Sequence, residues 1–286
     1  MRAADGRTLR VEDGGDPQGK PVLMHHGTPG AGLLYAPEET AARELGIRMI
    51  GYDRPGYGGS TPQPGRTVAD CTGDVRAIAR ALEIDRLGIW GISGGGPHAL
   101  ACAALLPDLV VAVASLASVA PYGSPGLDFF TGMGEENVND TRLLLEDEPA
   151  ARLKLKADRE RVLAVSAEDM ITVFPSLLSA VDAAAFTPDL AQYFHACNQL
   201  GLAPGDEGWW DDGIAHTRAW GFNFADIKVP VQLWHGRHDK FVPFQHGEWL
   251  ATMIPGVDAH LTDDDGHLTL PERRLPAVHA WLLAHF

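Results

Sequence analysis

A serine flanked by glycines at the end of an apolar run constrains this chain more than any other feature. Residues 87–92 are mostly apolar and predict a buried strand. A segment of small residues with helix-forming character follows the serine at once, so Ser93 is expected on an abrupt strand-to-helix turn. The turn strains the backbone of Ser93 and leaves no room for a Cβ on its neighbours, which explains the glycines Gly91 and Gly95.

The predicted turn also gives Ser93 a favourable electrostatic environment. Pro97 suits the first turn of the following helix, because the amide hydrogen that proline lacks would have no partner inside that helix. The helix N-terminus then points at Ser93, and its free N–H groups favour an oxyanion forming there. The same short pattern also arises by chance in a chain with 32 glycines, but the strand before it and the helix after it favour a nucleophilic serine.

Composition places the chain among ordinary globular proteins. In 286 residues, 45% are hydrophobic and 21% are charged, which allows a sizeable core. No apolar run reaches membrane-spanning length and residues 1–6 lack a secretory pattern, so we expect a cytoplasmic protein. The formal net charge of −15 argues against binding to nucleic acid or to an anionic membrane, since both require a cationic surface.

The cysteine and histidine patterns do not favour a metal site. Three widely spaced cysteines, with no Cys-x-x-Cys pair, are expected to be buried free thiols. The run from His235 to Asp239 contains a second histidine, His238, but no helix places the two imidazoles on one face and no matching third ligand is present. The cysteines are Cys71, Cys102 and Cys197.

The order of predicted elements indicates an α/β fold. Alternation of strand and helix implies a mainly parallel sheet that is covered by helices on both faces. Apolar runs predict strands at 8–11, 21–25, 47–52, 87–92, 110–116, 229–235 and 258–262. Besides the helix after Ser93, helices are predicted at 41–45, 68–82, 245–253 and 276–286.

The pattern changes between residues 121 and 224. No convincing strand occurs there, and helical stretches alternate with breaks at proline and glycine. We interpret this region as a helical lid inserted into a core domain formed by residues 1–120 and 225–286. Large apolar residues of the lid pack against the core or face a substrate, and the candidates for a substrate pocket are Phe129, Phe130, Trp209 and Trp210.

Ser93 needs two partners, because a serine hydroxyl is a poor nucleophile at neutral pH without a base and a group that orients the base. Asp239 follows a late strand, and His267 lies in the loop after the last strand. Both are therefore expected at the carboxyl edge of the sheet, where Ser93 also emerges. The chain order Ser93, Asp239, His267 agrees with an α/β architecture that carries such a triad.

Other side chains compete for the two supporting roles. Position favours Asp239 over the rival aspartates, because those lie on the same loop as His267 and an orienting acid is expected from a different strand. The rival histidines near strand ends are His25, His26, His235 and His238, and the rival aspartates are Asp263, Asp264 and Asp265.

Two early loops hold further polar candidates. Pro29 forces Thr28 into an extended conformation, so the Thr28 N–H can point into a cleft and serve as an oxyanion donor. A plain turn at the end of a strand is the alternative interpretation of this loop. In the glycine-rich loop at 53–60, Asp53 and Arg54 are expected to form an ion pair that stabilises the loop, with a functional pair as the alternative.

Five motifs together resemble the α/β-hydrolase superfamily over nearly the whole chain, most weakly in the lid. The resemblance implies an eight-stranded, mostly parallel sheet with Ser93 as nucleophile, His267 as base and Asp239 as orienting acid. It further implies an oxyanion hole formed by the N–H groups of Thr28 and Gly94, and no cofactor. The motifs are Gly-Ile-Ser-Gly-Gly, His-Gly-Thr-Pro-Gly, Tyr-Asp-Arg-Pro-Gly-Tyr-Gly-Gly-Ser, Gly-Arg-His-Asp-Lys-Phe-Val-Pro and Asp-Gly-His-Leu.

Departures from related enzymes narrow the expected activity. Epoxide hydrolases and haloalkane dehalogenases use an aspartate nucleophile, which Ser93 excludes, and proline iminopeptidases have glycine where Thr28 stands. The favoured hypothesis is a carboxylic-ester hydrolase that acts on a small-molecule ester through an acyl-enzyme on Ser93. An aminopeptidase, a hydrolase of C–C bonds and a non-catalytic ligand-binding receptor are the alternatives, and the oligomeric state, monomer or homodimer, stays open.

Overall fold

A seven-stranded sheet lies at the centre of the computed structural model, which describes residues 1–286. Its central strands are buried on both faces, which explains why their sequences are continuous apolar runs. The strands are β1 (Val11–Gly15), β2 (Lys20–His25), β3 (Ile47–Tyr52), β4 (Leu87–Ile92), β5 (Val110–Leu116), β6 (Val231–Gly236) and β7 (Asp258–Thr262).

The strand order brings six carboxyl ends to one edge. The sheet runs β1-β3-β2-β4-β5-β6-β7, and only β1 is antiparallel to its neighbour. Loops that follow β2, β4, β6 and β7 therefore meet at the same edge, which is where ligands bind in open α/β sheets.

Helices cover both faces of the sheet, as predicted. Buried side chains of α1 and α10 pack on one face, and those of α2, α3 and α9 pack on the other. The helices are α1 (Ala36–Glu44), α2 (Cys71–Ala81), α3 (Gly96–Leu105), α4 (Glu135–Glu146), α5 (Glu148–Ala164), α6 (Ala180–Ala185), α7 (Pro188–Leu202), α8 (Glu207–Thr217), α9 (Phe244–Met253) and α10 (Thr269–Leu283). Short 3₁₀ turns occupy Val68–Asp70, Ser93–Gly95, Met170–Val173 and Phe224–Asp226. None of these helices combines the length and apolarity needed to cross a membrane.

The expected eight-stranded sheet is wrong by one strand, and the first strand is displaced. A strand was expected at 8–11, but Thr8 forms only an isolated bridge with Arg2, and β1 instead extends to Gly15. Pairing of Gly14 and Gly15 with β3 supplies backbone hydrogen bonds that outweigh the low strand propensity of glycine.

The last helix begins earlier than the expected 276–286. It starts at Thr269 and continues through Pro276 to Leu283. A proline inside a helix normally destabilises it, but Leu275, Val278 and other residues of this helix are buried against the sheet, and their burial outweighs that cost.

Residues 121–224, the helical segment, contain no strand, which confirms that part of the prediction. They hold α4 to α8 between β5 and β6. An apolar cluster that includes Val162, Met170 and Leu202 also takes in Tyr57 from the loop after β3, so the segment packs on the carboxyl edge of the sheet. The division into a core domain and an inserted lid stays a prediction.

Candidate active site

Ser93 occupies the strained turn that the sequence predicts. The strand β4 ends at Ile92, Ser93 has φ of 55°, and α3 begins at Gly96. A positive φ is uncommon for a residue with a side chain and persists only where the surrounding structure imposes it. The turn therefore presents the Ser93 hydroxyl at the carboxyl edge of the sheet, next to the N-terminus of α3.

Close packing on both sides explains the two flanking glycines. A Cβ on Gly91 would lie 2.4 Å from the Gly95 carbonyl oxygen and 3.1 Å from Ala99 Cβ, and a Cβ on Gly95 would lie 2.2 Å from the His25 carbonyl oxygen. The predicted collisions with the neighbouring helix and strand are thus confirmed.

His267 and Asp239 form a buried hydrogen-bonded pair. The His267 Nδ1 donates to Asp239 Oδ2 at 2.7 Å, and both side chains are buried. The other Asp239 oxygen accepts from the N–H groups of Phe241 and Val242 at 2.9 and 2.8 Å. This arrangement fixes the tautomer of His267 and leaves its Nε2 free to accept a proton.

The charge of Asp239 shifts the titration of His267. Burial alone would lower the pKa of His267, but the negative charge and hydrogen bond of Asp239, together with the charge of Asp182, outweigh burial. The pKa of His267 is therefore raised above its ordinary value of 6.5. The Phe241 ring stacks on the imidazole with centroids 4.5 Å apart, which further restricts its orientation.

Ser93 and His267 line the same cavity of about 610 Å³ at the carboxyl edge. The Ser93 hydroxyl has no hydrogen-bond partner among the residues of the chain. Hydrogen bonds between a nucleophile and its base are often long before substrate binds and tighten in the substrate complex. The cavity thus joins Ser93 and His267, and Asp239 lies behind His267 as its hydrogen-bond partner.

Thr28 and Gly94 lie beside Ser93. A Cβ on Gly94 would lie 2.3 Å from Thr28 Oγ1, and a Cβ on Gly27 would lie 3.7 Å from Ser93 Cβ. The Thr28 N–H donates no hydrogen bond within the protein, and the Thr28–Pro29 peptide bond is cis. The loop after β2 and the turn after β4 therefore meet where an oxyanion hole would be expected.

A buried ion-pair network anchors the Thr28 loop. The Thr28 hydroxyl donates to Asp212 Oδ2 at 2.7 Å, and Arg54 and Arg66 approach the same carboxylate at 2.6 and 2.7 Å. Burial would raise the pKa of Asp212, but the two guanidinium groups hold it well below its usual range. Tyr57 also donates to this carboxylate at 3.0 Å, so an aspartate of α8 ties the helical segment to the loop.

The expected ion pair between Asp53 and Arg54 is wrong, because each side chain has other partners. Arg54 is fully buried, pairs with Asp212 and donates to the Gly27 carbonyl at 3.0 Å. Asp53 accepts from the N–H of Gly32 at 2.8 Å and of Gly59 at 3.1 Å, and pairs with Arg10 at 3.2 Å. The alternation of side chains around the end of β3 sends these two neighbours in different directions.

Comparison with known proteins adds to this geometry. The sequence model of the α/β-hydrolase fold matches residues 20–273. The chain belongs to this family. It is 28% identical over 263 residues to the AB hydrolase superfamily protein YisY of Bacillus subtilis, covering 91% of this chain and 88% of that protein.

A further relative and a solved structure of similar fold differ in their described activities. The chain is 29% identical over 278 residues to a 2-hydroxy-6-oxononadienedioate/2-hydroxy-6-oxononatrienedioate hydrolase of Burkholderia vietnamiensis, covering 92% of this chain and 86% of that protein. A thermophilic esterase from Thermogutta terrifontis superposes with a TM-score of 0.68 at 24% identity, covering 99% of this chain and 97% of that chain. These findings support a hydrolase, and the structural likeness establishes the fold.

Two histidines that the sequence analysis did not assign hold the turn of this α/β hydrolase. His98 Nδ1 and His216 Nε2 each lie 3.0 Å from the Gly94 carbonyl oxygen. Burial lowers the pKa of His98 well below its ordinary value and that of His216 to about 4, so both rings are neutral donors at neutral pH. These two hydrogen bonds fix the orientation of the Gly94–Gly95 peptide.

Three of the rival histidines and the three rival aspartates have structural partners of their own, whereas His238 has a backbone contact alone, from its N–H to the Asp265 carbonyl at 3.0 Å. His235 donates from Nε2 to the Val242 carbonyl at 2.8 Å, so it supports the Asp239 loop. Asp263 pairs with Arg237, while Asp264 and Asp265 pair with Arg274. His25 and His26 lie at the end of β2, where Cys102 Sγ lies 3.7 Å from His25 Nε2 and His26 accepts from the Arg54 N–H at 3.2 Å.

The cysteines are buried and unpaired, as predicted. Ligand atoms of His25, Cys71 and Cys102 lie within 4.8 Å of one another, close enough to share a metal ion. The Cys71 thiol donates to the His98 carbonyl at 3.5 Å, and burial raises its pKa well above the ordinary value. Because metals bind the thiolate, this environment opposes a metal at the cluster.

The cavity wall combines aromatic side chains with carboxylates. Phe129, Trp209 and Trp210 line the cavity, whereas Phe130 does not and instead lies beside Tyr122. Burial raises the pKa of the Glu38 carboxyl in this wall to about 8. The lining charged residues are five carboxylates, Glu38, Glu136, Asp140, Asp158 and Glu272, and two cations, Lys154 and Arg161.

We expect Gly95→Ala to reduce the free energy of unfolding by about 1–3 kcal/mol or more, because the new methyl group would collide with backbone carbonyls that cannot rotate away. The matched control is Gly73→Ala in α2, where a Cβ would meet nothing within 4 Å. That change should stabilise the protein by about 0.5–1 kcal/mol. Urea denaturation measures both, and an unchanged midpoint for Gly95→Ala would contradict the tight packing of the turn.

Proposed function

We propose that this protein is a serine hydrolase that cleaves carboxylic esters through an acyl-enzyme on Ser93. The observation that carries the proposal is the buried pair of His267 and Asp239, 2.7 Å apart, whose imidazole lies on the wall of the cavity that also contains the strained Ser93. A nucleophile, a base and an orienting acid in one site are what this chemistry requires.

In the proposed mechanism, His267 Nε2 takes the proton of Ser93 as Oγ attacks the ester carbonyl. The N–H groups of Thr28 and Gly94 bind the oxyanion, and the N-terminus of α3 adds favourable potential. His267 then gives the proton to the leaving alcohol, and a water molecule cleaves the acyl-enzyme by the same route. Asp239 stabilises the imidazolium that forms in each step.

The charges of the cavity wall favour a substrate without carboxylates. Lys154 is paired with Asp140 at 2.6 Å and with Asp158 at 2.5 Å, and Arg161 lies 3.5 Å from Asp158. The two lining cations are thus neutralised. Glu136 and Glu272 remain as carboxylates that would repel an anion, whereas Glu38, with a pKa of about 8, is mostly protonated at neutral pH. A neutral ester with an apolar group against Phe129 and the tryptophans fits this wall.

Cleavage of a C–C bond beside a carbonyl is the second candidate, favoured by similarity to the dienedioate hydrolase of Burkholderia vietnamiensis. A dioate carries two carboxylates, for which a site needs unpaired cations. Because the lining cations here are paired with Asp140 and Asp158, we place ester cleavage first.

The Ser93→Ala variant should lose activity on short p-nitrophenyl esters by about 10⁶-fold in kcat, by analogy with serine proteases. Its fold should be retained, since Ser93 is a small side chain at the cavity wall. A fluorophosphonate probe should label wild-type protein at residue 93 and leave the variant unlabelled. Substantial activity in the variant would rule out the acyl-enzyme, and an unlabelled, inactive wild type would favour a ligand-binding receptor.

The activity should rise with pH through a midpoint above 6.5, because His267 must be neutral to act as a base and its pKa is raised. Asp239→Asn removes the charge that raises this pKa, so the acidic limb of kcat/KM should move to lower pH. The same change should lower kcat by about 10⁴-fold, as loss of the orienting aspartate does in serine proteases. If the acidic limb of Asp239→Asn stays at its wild-type pH, the measured titration does not belong to His267.

A substrate panel tests the predicted preference for neutral substrates. We expect kcat/KM for a neutral alkyl ester to exceed that for the matched ester with a terminal carboxylate, because the wall carboxylates repel the latter. An N-terminal prolyl amide completes the panel, since the Glu272 carboxylate lines the cavity and offers a partner for an amine. Faster cleavage of a dioate or of the prolyl amide would overturn the ester assignment.

A further inference from the structure

A buried carboxylate of the helical segment binds the backbone of the His267 loop. Asp182 in α6 is fully buried. Its Oδ2 accepts the His267 N–H at 3.0 Å, and its Oδ1 accepts the N–H groups of Leu268 and Thr269 at 2.9 and 3.1 Å. Three consecutive N–H groups at the start of α10 thus converge on one side chain that is 85 residues or more away in sequence.

The first N–H groups of a helix have no partner inside the helix, and an anion placed there is favourable. A helix usually receives this cap from a residue at its own N-terminus, but here the cap comes from another helix. No lysine, arginine or histidine forms an ion pair with Asp182. Its negative charge is stabilised by hydrogen bonds from the three N–H groups and from the hydroxyls of Ser179 at 2.8 Å and Thr269 at 3.3 Å.

The loop around Gly266 is shaped to admit this carboxylate. A Cβ on Gly266 would lie 2.3 Å from Asp182 Oδ2, and the Gly266 N–H donates to Thr269 Oγ1 at 2.7 Å. Glycine at this position therefore allows Asp182 to reach the backbone of the residue that carries the imidazole.

We propose that Asp182 is a positioning residue, whose carboxylate holds the backbone of His267 so that the imidazole stays hydrogen-bonded to Asp239 and faces Ser93. The proposal rests on the proposed role of His267 as the base. The helical segment then completes the catalytic site as well as covering the cavity, because α6 supplies the anchor and the loop after β7 supplies the base.

The charged and titratable groups near His267 are the possible causes of a change in its pKa. Asp239 contacts the ring from the loop after β6, and His235 at the end of β6 lies 3.7 Å from the same Asp239 oxygen. Asp265, on the loop of His267, is paired with Arg274. Asp182 approaches from α6 and is the anion near His267 whose removal leaves the Asp239 hydrogen bond in place.

The decisive variant is Asp182→Asn, which keeps the volume but removes the charge and replaces one acceptor oxygen with an amide donor. A misplaced group can cost about 10²-fold in rate, so we expect kcat to fall by about 10- to 100-fold while KM changes little. The acidic limb of the pH profile should also move to lower pH, since Asp182 supports the raised pKa of His267. Asp206→Asn is the matched control, because Asp206 is also buried in the helical segment but pairs with Arg152 at 2.9 Å.

Two further measurements separate positioning from simple stabilisation. NMR titration of His267 in folded protein should show a lower pKa in Asp182→Asn and an unchanged pKa in Asp206→Asn. If Asp182→Asn does not fold, Ser179→Ala removes one hydrogen bond to the carboxylate and should shift kcat and the pH limb in the same direction by less.

A folded Asp182→Asn protein with wild-type kcat and an unmoved limb would overturn the proposal, and so would an unaffected Ser179→Ala protein if Asp182→Asn fails to fold. The proposed function fails separately, through absence of probe labelling at Ser93 in the wild type. The His267 titration remains readable in that case, because it requires no turnover.

Discussion

The short hydrogen bond between His267 and Asp239 is the interaction on which the rest of the site depends. It joins loops from two adjacent parallel strands, and it sets the protonation of the ring that faces the cavity. Burial opposes a charged imidazole, whereas the aspartate favours it, and the aspartate prevails. The sheet topology makes this hydrogen bond possible, because it brings both loops to one edge.

Two buried aspartates of the helical segment serve the two sides of the cavity. Asp212 in α8 binds the Thr28 loop together with Arg54, and Asp182 in α6 binds the His267 loop. Each carboxylate is fully buried, and both of its oxygens accept hydrogen bonds. The geometry of the core loops therefore depends on side chains that belong to a different part of the chain.

Sequence reasoning singled out Ser93, Asp239 and His267 as candidates because strand ends and chain order restrict where such residues can lie. It did not identify Asp182 or Asp212, because an aspartate within a helical pattern resembles a solvated side chain until distant contacts are known. The same limit explains the displaced first strand, since pairing of Gly14 and Gly15 with β3 is a tertiary effect. Local patterns predict what the backbone favours, and long-range hydrogen bonds decide the exceptions.

The pairing of Asp212 with Arg54 has a consequence for how a molecule reaches Ser93. If the helical segment moved outward as a hinged unit, the fully buried Arg54 guanidinium would lose its counter-ion Asp212. Breaking such a pair costs about 3–5 kcal/mol. Passage to the cavity is therefore expected to leave α6 and α8 in place. The helices α4 and α5 supply neither of these two carboxylate anchors, so the Asp182 and Asp212 contacts do not restrain them.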